Sequence, residues 1–451
     1  MINSESGDFI MLPTNILKQV ITYNDSGLAY LENLNVGIHL ANKKFQNFEN
    51  VEKNLGDTVQ FDVPPRAIAM NGLVASFQSA QQRFGTLTCD QAANSSMAFS
   101  AQQFVFNVRD YMEKFGMARV EELSAKIEKS VLRNIDSSVP VMVVDSDGQS
   151  VPTGALHTDS GPYRFYGDGV TPINSFQQLA SMLALNAEYG MPNGSPEVIL
   201  PNLAIPGIVG SGLNQFVNDR NEMLANSWDL GTYKGSNARY YRSNLLPIHY
   251  AGTIGNDALT LTVINTDDPT GANINNITFS GANVSDSGSA NSGDLGQFVD
   301  GVATFRDMRY LTWTGHEECG CPVQVRVLAS AGSDGSGHIT LNIFPPLSNV
   351  IGPNQNLNQN IVAGMKFKLL PDHRCGAVIN GKAFYLAMPK LPDEVPFPTG
   401  TKTNKSTGAS IRLYYGTLFG KNTRGLINDA IWGSYMQPEY IMRIAFPLTF
   451  A

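Results

Sequence analysis

Apolar residues recur along this chain with two distinct periods. From Gly56 the period is two: Thr58, Gln60 and Asp62 alternate with Val59, Phe61 and Val63, until Pro64-Pro65 stops the run. A second β pattern, Phe99–Val108, follows a polar span rich in Gln, Ser and Ala, and the pair predicts an extended hairpin with a long polar tip. The period then lengthens. Val120, Leu123, Ile127, Val131 and Ile135 fall at spacings of 3, 4, 4 and 4, one face of a helix. Glu122 and Lys126 form an i, i+4 pair on the opposite side. The helix predicted over about Asp110–Ile135 would be nearly 40 Å long at ~1.5 Å per residue, which suits a structural spine.

Shorter signals flank these elements. The first fifty residues carry two brief helical patterns, Asn15–Tyr23 and one after Asp25-Ser26, too short to build a core alone and therefore read as an arm. Ser175-Phe-Gln-Gln178 is a capping box opening a helix to Tyr189, ended by Gly190 and Pro192. Strand Glu197–Leu200, a small-residue helix after Pro201 and a helical stretch near Asn214–Leu224 complete an α/β unit. Strand Arg239–Arg242 leads into Ser243-Asn-Leu-Leu-Pro247. Near the end, Phe384–Ala387 and Ile411–Tyr415 read as strands, followed by Ala430–Trp432 and Tyr440–Ile444 around a turn at Gly433–Pro438.

Charge changes this picture at one place. Ala251–Asn360 holds ten acidic residues against three arginines and no lysine, −7 of the formal −8, so the remainder is close to neutral at −1. The block is rich in Gly, Asn, Ser and Thr, with β-patterned runs at Leu259–Ile264 and His338–Ile343. A foreign composition entered and left in mid-sequence predicts one domain inserted into another.

The remaining bulk properties exclude function classes. A net charge of −8 argues against a dedicated nucleic-acid binder, which usually shows a basic face. No run approaches the roughly 20 apolar residues of a membrane helix. Met1–Phe9 is polar and acidic, so no export signal is expected. Cys89, Cys319, Cys321 and Cys375 make no disulfide framework in 451 residues, which suits a reducing compartment.

Candidate chemistry is sparse. Gly376-Ala-Val-Ile-Asn-Gly381-Lys382-Ala383 comes within one residue of a P-loop, but it lacks the Mg²⁺-holding hydroxyl, and β-patterned sequence follows where a helix is needed. It reads as a turn before a strand. His316-Glu-Glu-Cys319-Gly-Cys321 is the densest set of metal-ligand types, yet CxC has no partner pair nearby unless His373 and Cys375 approach in space; reduced thiols on a β-turn are expected. The six histidines (His39, His157, His249, His316, His338, His373) lie in no catalytic motif, and His249 and His338 read as structural or surface residues. Asp267 and Asp268 suit a turn better than acid–base work. Lys366, Lys368, Lys402 and Lys405 read as solvated loop charges, and an isopeptide link to a residue such as Asn404 has no support beyond their presence. No catalytic, cofactor-binding or metal-binding residue is assigned.

The order of elements, carried by short motifs, resembles the major capsid proteins of tailed double-stranded DNA bacteriophages, the Hong Kong 97-type fold. Gly56-Asp-Thr-Val59 with Pro64 resembles the start of that family's extended loop, and Arg242-Ser-Asn-Leu-Leu-Pro247 a strand and turn leaving the axial (A) domain. Ala383-Phe-Tyr-Leu-Ala387 resembles the returning strand. Ile427-Asn-Asp-Ala-Ile-Trp-Gly433 with Gln437-Pro-Glu439 resembles the last strands of the peripheral (P) domain. The acidic block is similar in position, length and β character to the β-barrel inserted in the coat protein of the short-tailed Salmonella phage group; Thr260–Ser280, ending in Ile277-Thr-Phe-Ser-Gly281, resembles the start of that barrel. The span Val59–Val108 is longer than the resemblance implies, and Asn354–Asn360 has no counterpart in it.

The resemblance implies an α+β fold. It has an N-terminal arm (1–50), an extended β-hairpin loop (51–108), a P-domain spine helix (109–136), an A domain (137–250), an inserted β-barrel domain (251–370) and returning A/P-domain strands (371–451). It implies no enzyme and no cofactor. Expected instead is a homo-oligomer of hexamers and pentamers, assembled in the bacterial host cytoplasm into a virion capsid. Its partners would be a scaffolding protein, a portal protein and, as further candidates, decoration proteins; it would enclose double-stranded DNA without sequence-specific binding and touch no membrane. The alternatives are another virion component, such as a tail or decoration protein, and a hydrolase using the acidic block as a carbohydrate-binding module.

Overall fold

Val120, Leu123, Ile127, Val131 and Ile135 are all buried, as their spacing requires, and they form the seam along which one helix joins two sheets. The computed structural model describes residues 28, 31, 36–41, 58–63, 73, 83–100, 117–136, 140–144, 150–156, 160–190, 195–208, 229–233, 238–282, 288–299, 309–311, 318–352, 354–381, 383–391, 399–403, 409–417 and 423–448. The spine helix runs over Met117–Arg133 within these residues and continues as a turn to Asp136. The patterns at Asn15–Tyr23 and Asn214–Leu224, the stretch 101–108 and the first part of the expected spine, 110–116, lie outside them.

On one side the helix packs against a five-stranded antiparallel sheet. Its order is Phe384–Ala387, Thr423–Met436, Ser410–Thr417 and Thr399–Thr403, with Gln91–Ser100 also paired to Thr423–Met436. Trp432, Ala430 and Met436 share the core with Ile127 and Val131. Polar residues of the helix are used as well: Trp432 Nε1 donates to Ser130 Oγ at 3.1 Å, and Asn134 Nδ2 to Ser434 Oγ at 2.6 Å. The short helix Val36–Leu40 lies against the spine so closely that a Cβ at Gly37 would sit 2.9 Å from Val131.

The second sheet has seven strands in the order Arg164–Tyr166, Ile441–Phe446, His373–Ile379, Glu197–Pro201, Ala238–Ser243 and Asp229–Tyr233, with Ile248–His249 paired to His373–Ile379. One face, through Ile199, Cys375, Ala377, Ile379 and Ile441, joins the spine core. The other, through Val198, Leu200, Val378, Met442 and Ile444, packs on the helix Phe176–Glu188. That helix opens with the reciprocal Ser175–Gln178 capping box the sequence predicts.

Six antiparallel strands form a closed barrel: Thr260–Thr266, Ile274–Ser280, His338–Leu347, Gln324–Val327, Leu295–Val299 and Lys366–Leu369, the last pairing back to the first. Phe367 fills it, stacked on Phe279 at 5.0 Å and edge-on to Phe298 at 5.2 Å. Closure leaves no free strand edge. The chain reaches the barrel and leaves it side by side. Ile248–His249 pairs antiparallel with Arg374 and His373, Ala251 N donates to Asp372 Oδ1 at 2.7 Å, and Asp372 N donates to Asn256 Oδ1 at 2.9 Å. Gly252 belongs here because any Cβ would lie 2.1 Å from the Ser289 carbonyl oxygen.

Two sequence expectations change. The strand returning from Thr58–Val63 is Arg83–Thr88, in register Thr58↔Thr88, whereas Gln91–Ser100 leaves the hairpin to join the five-stranded sheet. Gln91–Ser100 takes in the end of the polar span and only Phe99–Ser100 of the second β pattern, the rest of which lies outside the described residues, and it pairs over ten residues with Thr423–Met436. The turn expected at Gly433–Pro438 is shorter, because Gly433 continues the strand, paired with Ala387. Glycine is what fits: a Cβ there would meet the Thr88 carbonyl oxygen at 2.2 Å.

Because Ile127 is fully buried at the centre of the seam, Ile127→Ala should cost about 2–5 kcal/mol. Thermal denaturation followed by circular dichroism should show a lowered midpoint for this variant, and Glu122→Gln on the exposed face should leave it nearly unchanged.

Candidate functional site

The densest polar chemistry among the described residues is buried where helix, seven-stranded sheet and barrel meet. His249 lies between two carboxylates, its Nδ1 against Asp136 Oδ1 and its Nε2 2.8 Å from Asp294 Oδ1. Asp136 ends the spine helix, His249 sits on the strand leading to the barrel, and Asp294 immediately precedes a barrel strand. Asp294 is further fixed by backbone N–H groups of Gly252 at 3.1 Å and Asn291 at 2.8 Å, both to Oδ2.

Arg443, on the strand Ile441–Phe446, completes the cluster. Its Nε donates to the Ile135 carbonyl at 2.9 Å, Nη2 to that of Asp136, and Nη1 to Gly293 at 3.5 Å. The first two are carbonyls at the C-terminal end of the spine, where unpaired acceptors and the helix dipole both favour a cation. His373 packs beside it; its Nδ1 donates to the Pro371 carbonyl at 2.7 Å, which leaves Nε2 facing Arg443 Nη1 at 3.5 Å.

The two histidines differ in charge for physical reasons. Burial pushes His249 down, but hydrogen bonds to Asp136 and Asp294 outweigh it, so its pKa is raised and both nitrogens donate. Burial, then the positive charges of Arg443 and His249, holds His373 neutral with a pKa lowered to about 3. The cluster therefore balances Asp136 and Asp294 against His249 and Arg443. His249, Asp294 and Arg443 are shut off from solvent and Asp136 is nearly so, and the arrangement clamps three parts of the chain.

A second junction fixes the barrel's other side. Gln324, on a barrel strand, accepts from Phe165 N at 2.9 Å and donates to Phe165 O at 3.0 Å, so its amide pairs with the backbone of the strand Arg164–Tyr166. Arg326 Nη1 donates to the carbonyls of Ser160 and Gly161 at 2.5 and 3.1 Å, with its guanidinium 5.0 Å from the Phe344 ring.

The other sequence candidates are dispersed. Gly376 lies within the strand His373–Ile379, and Lys382 is outside the described residues, as are His157, His316, Glu317, Asn404 and Lys405. Cys319 and Cys321 are buried free thiols near Arg164; the Cys321 thiol lowers Cys319 to about 7, and Cys321 is itself raised by that contact and by burial. Cys375 is pushed up to about 12 by burial. No set of three or more His, Cys, Asp or Glu is placed to hold a metal among the described residues. Asp268 caps a turn, accepting from Thr270 N at 2.9 Å, Ala272 N at 3.1 Å and Asn273 N at 2.9 Å, and Asp267 accepts from Asn276 N at 3.0 Å. His39 is exposed, and His338 is half-exposed beside Asp334. Lys366 Nζ donates to Thr262 Oγ1 at 2.6 Å on the barrel wall, Lys368 lies on the same strand, and Lys402 is on Thr399–Thr403. His249, expected to be structural or at the surface, is buried and structural; Asp136, Asp294, Gln324, Arg326 and Arg443 carried no local signal. Among the described residues no helix is long and apolar enough to cross a membrane.

No known protein-family profile matches the chain, and no curated protein matches it. Among solved structures it is similar to one from Mycobacterium phage Che8, with a TM-score of 0.41 and 10% identity over 91% of this chain and 90% of that one. It is also similar to the capsid of Ralstonia phage GP4 (TM-score 0.40, 9% identity, 89% and 87% covered) and to the capsid of Cyanophage P-SCSP1u (0.37, 10%, 86% and 83%).

The two histidines give the stability opposite pH limbs. A raised folded pKa makes the contribution of His249 complete below the ordinary value near 6.5 and lost as pH rises through the folded value. The depressed pKa of His373 gives a contribution complete above about 6.5 and lost as pH falls towards 3. Urea denaturation should therefore show stability falling on the alkaline side in the wild type. His249→Gln should flatten that limb and cost about 3–5 kcal/mol near pH 6. An unaltered alkaline slope in the variant would contradict the assignment.

Proposed function

We propose that this chain is the coat subunit of an icosahedral shell, a major capsid protein of a tailed double-stranded DNA phage. One observation carries the reading. The two-stranded hairpin Thr58–Val63/Arg83–Thr88 packs on the body through Phe61 and Leu87, against Ala387 and Tyr435, yet Phe84 on it is 62% exposed and Leu73, between its strands, is fully exposed. Two strands alone are marginal in water. Large apolar side chains on such an arm gain burial from another molecule, and a wall of identical neighbours supplies it.

The order of elements supports the same reading: helix Val36–Leu40, hairpin, spine helix, seven-stranded sheet, barrel, then strands returning to both sheets. It agrees with the motif order by which the sequence resembles Hong Kong 97-type coats. On this reading 1–50 is the arm, 51–108 the extended loop, 109–136 the P-domain spine, 137–250 the A domain and 371–451 the return. The span 251–370 is an inserted domain, supported by barrel strands that all fall between Thr260 and Leu369 and by adjoining connections at Ile248–His249 and His373.

Copies would form hexamers and pentamers in the bacterial host cytoplasm. A scaffolding protein would guide them, a portal protein would occupy one vertex, and decoration proteins are further candidates; these partners come from the resemblance. The shell would enclose double-stranded DNA without gripping it, which suits a chain of net charge −8, since phosphates need cationic partners. No reaction is assigned to it.

Negative-stain electron microscopy and sedimentation of the purified chain, alone and with its cognate scaffold, test the reading. Closed or partly closed shells are expected. Fibres or rings would indicate a different virion component, and a lone monomer that turns over a substrate would end the coat reading.

A further inference from the structure

A cleft of about 680 Å³ opens between the last turns of the spine helix, the Asn244–Tyr250 segment leading to the barrel, and the barrel residues Asn291, Ser292 and Ser330. Its charged lining is Lys129, Arg133 and Arg374 against one acid, Asp136. That carboxylate is already engaged by His249 and lies 3.8 Å from Arg443. Lys129 and Arg133 are exposed and stand one helical turn apart on the same face. Arg374 is half-buried, and its Nε is shielded from solvent without a hydrogen-bond partner. Among the described residues no carboxylate forms an ion pair with any of the three. Buried donors are normally paired, and a planar guanidinium beside two further cations matches an oxyanion.

We propose that this cleft receives an acidic side chain from a second copy of the chain. Charge complementarity selects the occupant. The copy's own Ala251–Asn360 block supplies ten acids against three arginines, and Asp257 and Asp334 in it are exposed. Nucleic acid fits less well: duplex phosphates are met by broad cationic surfaces, whereas this is a confined recess on a net negative chain with a carboxylate in its wall. Asn291 Nδ2 donates one hydrogen to the Tyr250 carbonyl at 3.2 Å and has a second to offer the incoming group. The inference rests on the coat reading, because close-packed copies bring one barrel's acids to a neighbour's helix.

The test mixes ¹⁴N- and ¹⁵N-labelled full chain under assembly conditions and treats it with a carbodiimide, which joins a lysine amine to a carboxylate in contact with it. Mass spectrometry should find mixed-isotope peptides linking Lys129 to an aspartate or glutamate. Arg133→Gln, at an exposed position, should keep the wild-type melting temperature yet lower that link. Lys129→Gln/Arg133→Gln should raise the protein concentration needed for assembly by about tenfold. Mixed-isotope links at other lysines but none at Lys129 would overturn the cleft's role and leave the coat reading standing. Loss of the Lys129 link on adding a duplex oligonucleotide, but not a glutamate-rich peptide, would assign the cleft to nucleic acid and overturn the proposal. Absence of every mixed-isotope link, with monomeric sedimentation, would end the coat reading and this inference together.

Discussion

A guanidinium removed from water must find acceptors for its N–H groups, and Arg443 finds them on separate parts of the chain. It belongs to the central sheet, it caps the end of the spine helix, and it touches Gly293 at the start of a barrel strand. The charge it brings is balanced only because Asp136 and Asp294 lie on either side of His249. Each carboxylate would be costly alone in that position. The helix, the sheet and the barrel are therefore bound to one geometry, because moving any one of them strands a buried charge on another.

That constraint bears on how a shell subunit would work. The barrel is attached by two adjoining connections, which alone would act as a hinge. Gln324 and Arg326 prevent this by completing hydrogen bonds of Phe165, Ser160 and Gly161 on the far side of the hub. The barrel is thus tied to the rest of the chain at two separate junctions. The hairpin is held more lightly, through the small cluster of Phe61, Leu87, Ala387 and Tyr435. A subunit with a stiff body and a lightly attached apolar arm can keep its own fold while the arm adapts to neighbours. The proposed acceptor cleft lies directly against the hub, so a neighbour's acid bound there would meet the stiff part of the molecule.

Much of this was legible in sequence wherever the chemistry is local. The period of Val120 to Ile135 gave the spine and its buried face, and Ser175 with Gln178 gave a helix start. The change in charge and composition at Ala251 marked a β-rich block. Other features were hidden because they depend on partners far along the chain. His249 lies 113 residues from Asp136 and 45 from Asp294, and nothing near any of them announces the contact. The end of the polar span is hidden for a related reason: Gln91–Ala98 carries little apolar alternation, and its strand is set by a partner over three hundred residues away. Gly433 looked like a turn residue by composition, whereas close approach of the Thr88 backbone is what requires it.

The most direct measurement is hydrogen–deuterium exchange on Arg443→Met, a substitution that keeps bulk and removes the guanidinium. If the buried hub unites the three parts, protection should fall together around Asn134–Asp136, His249–Gly252 and Gly293–Leu295, although these segments are remote in sequence. Faster exchange confined to Ile441–Phe446 would contradict the account, and would mean that helix, sheet and barrel are held in place independently.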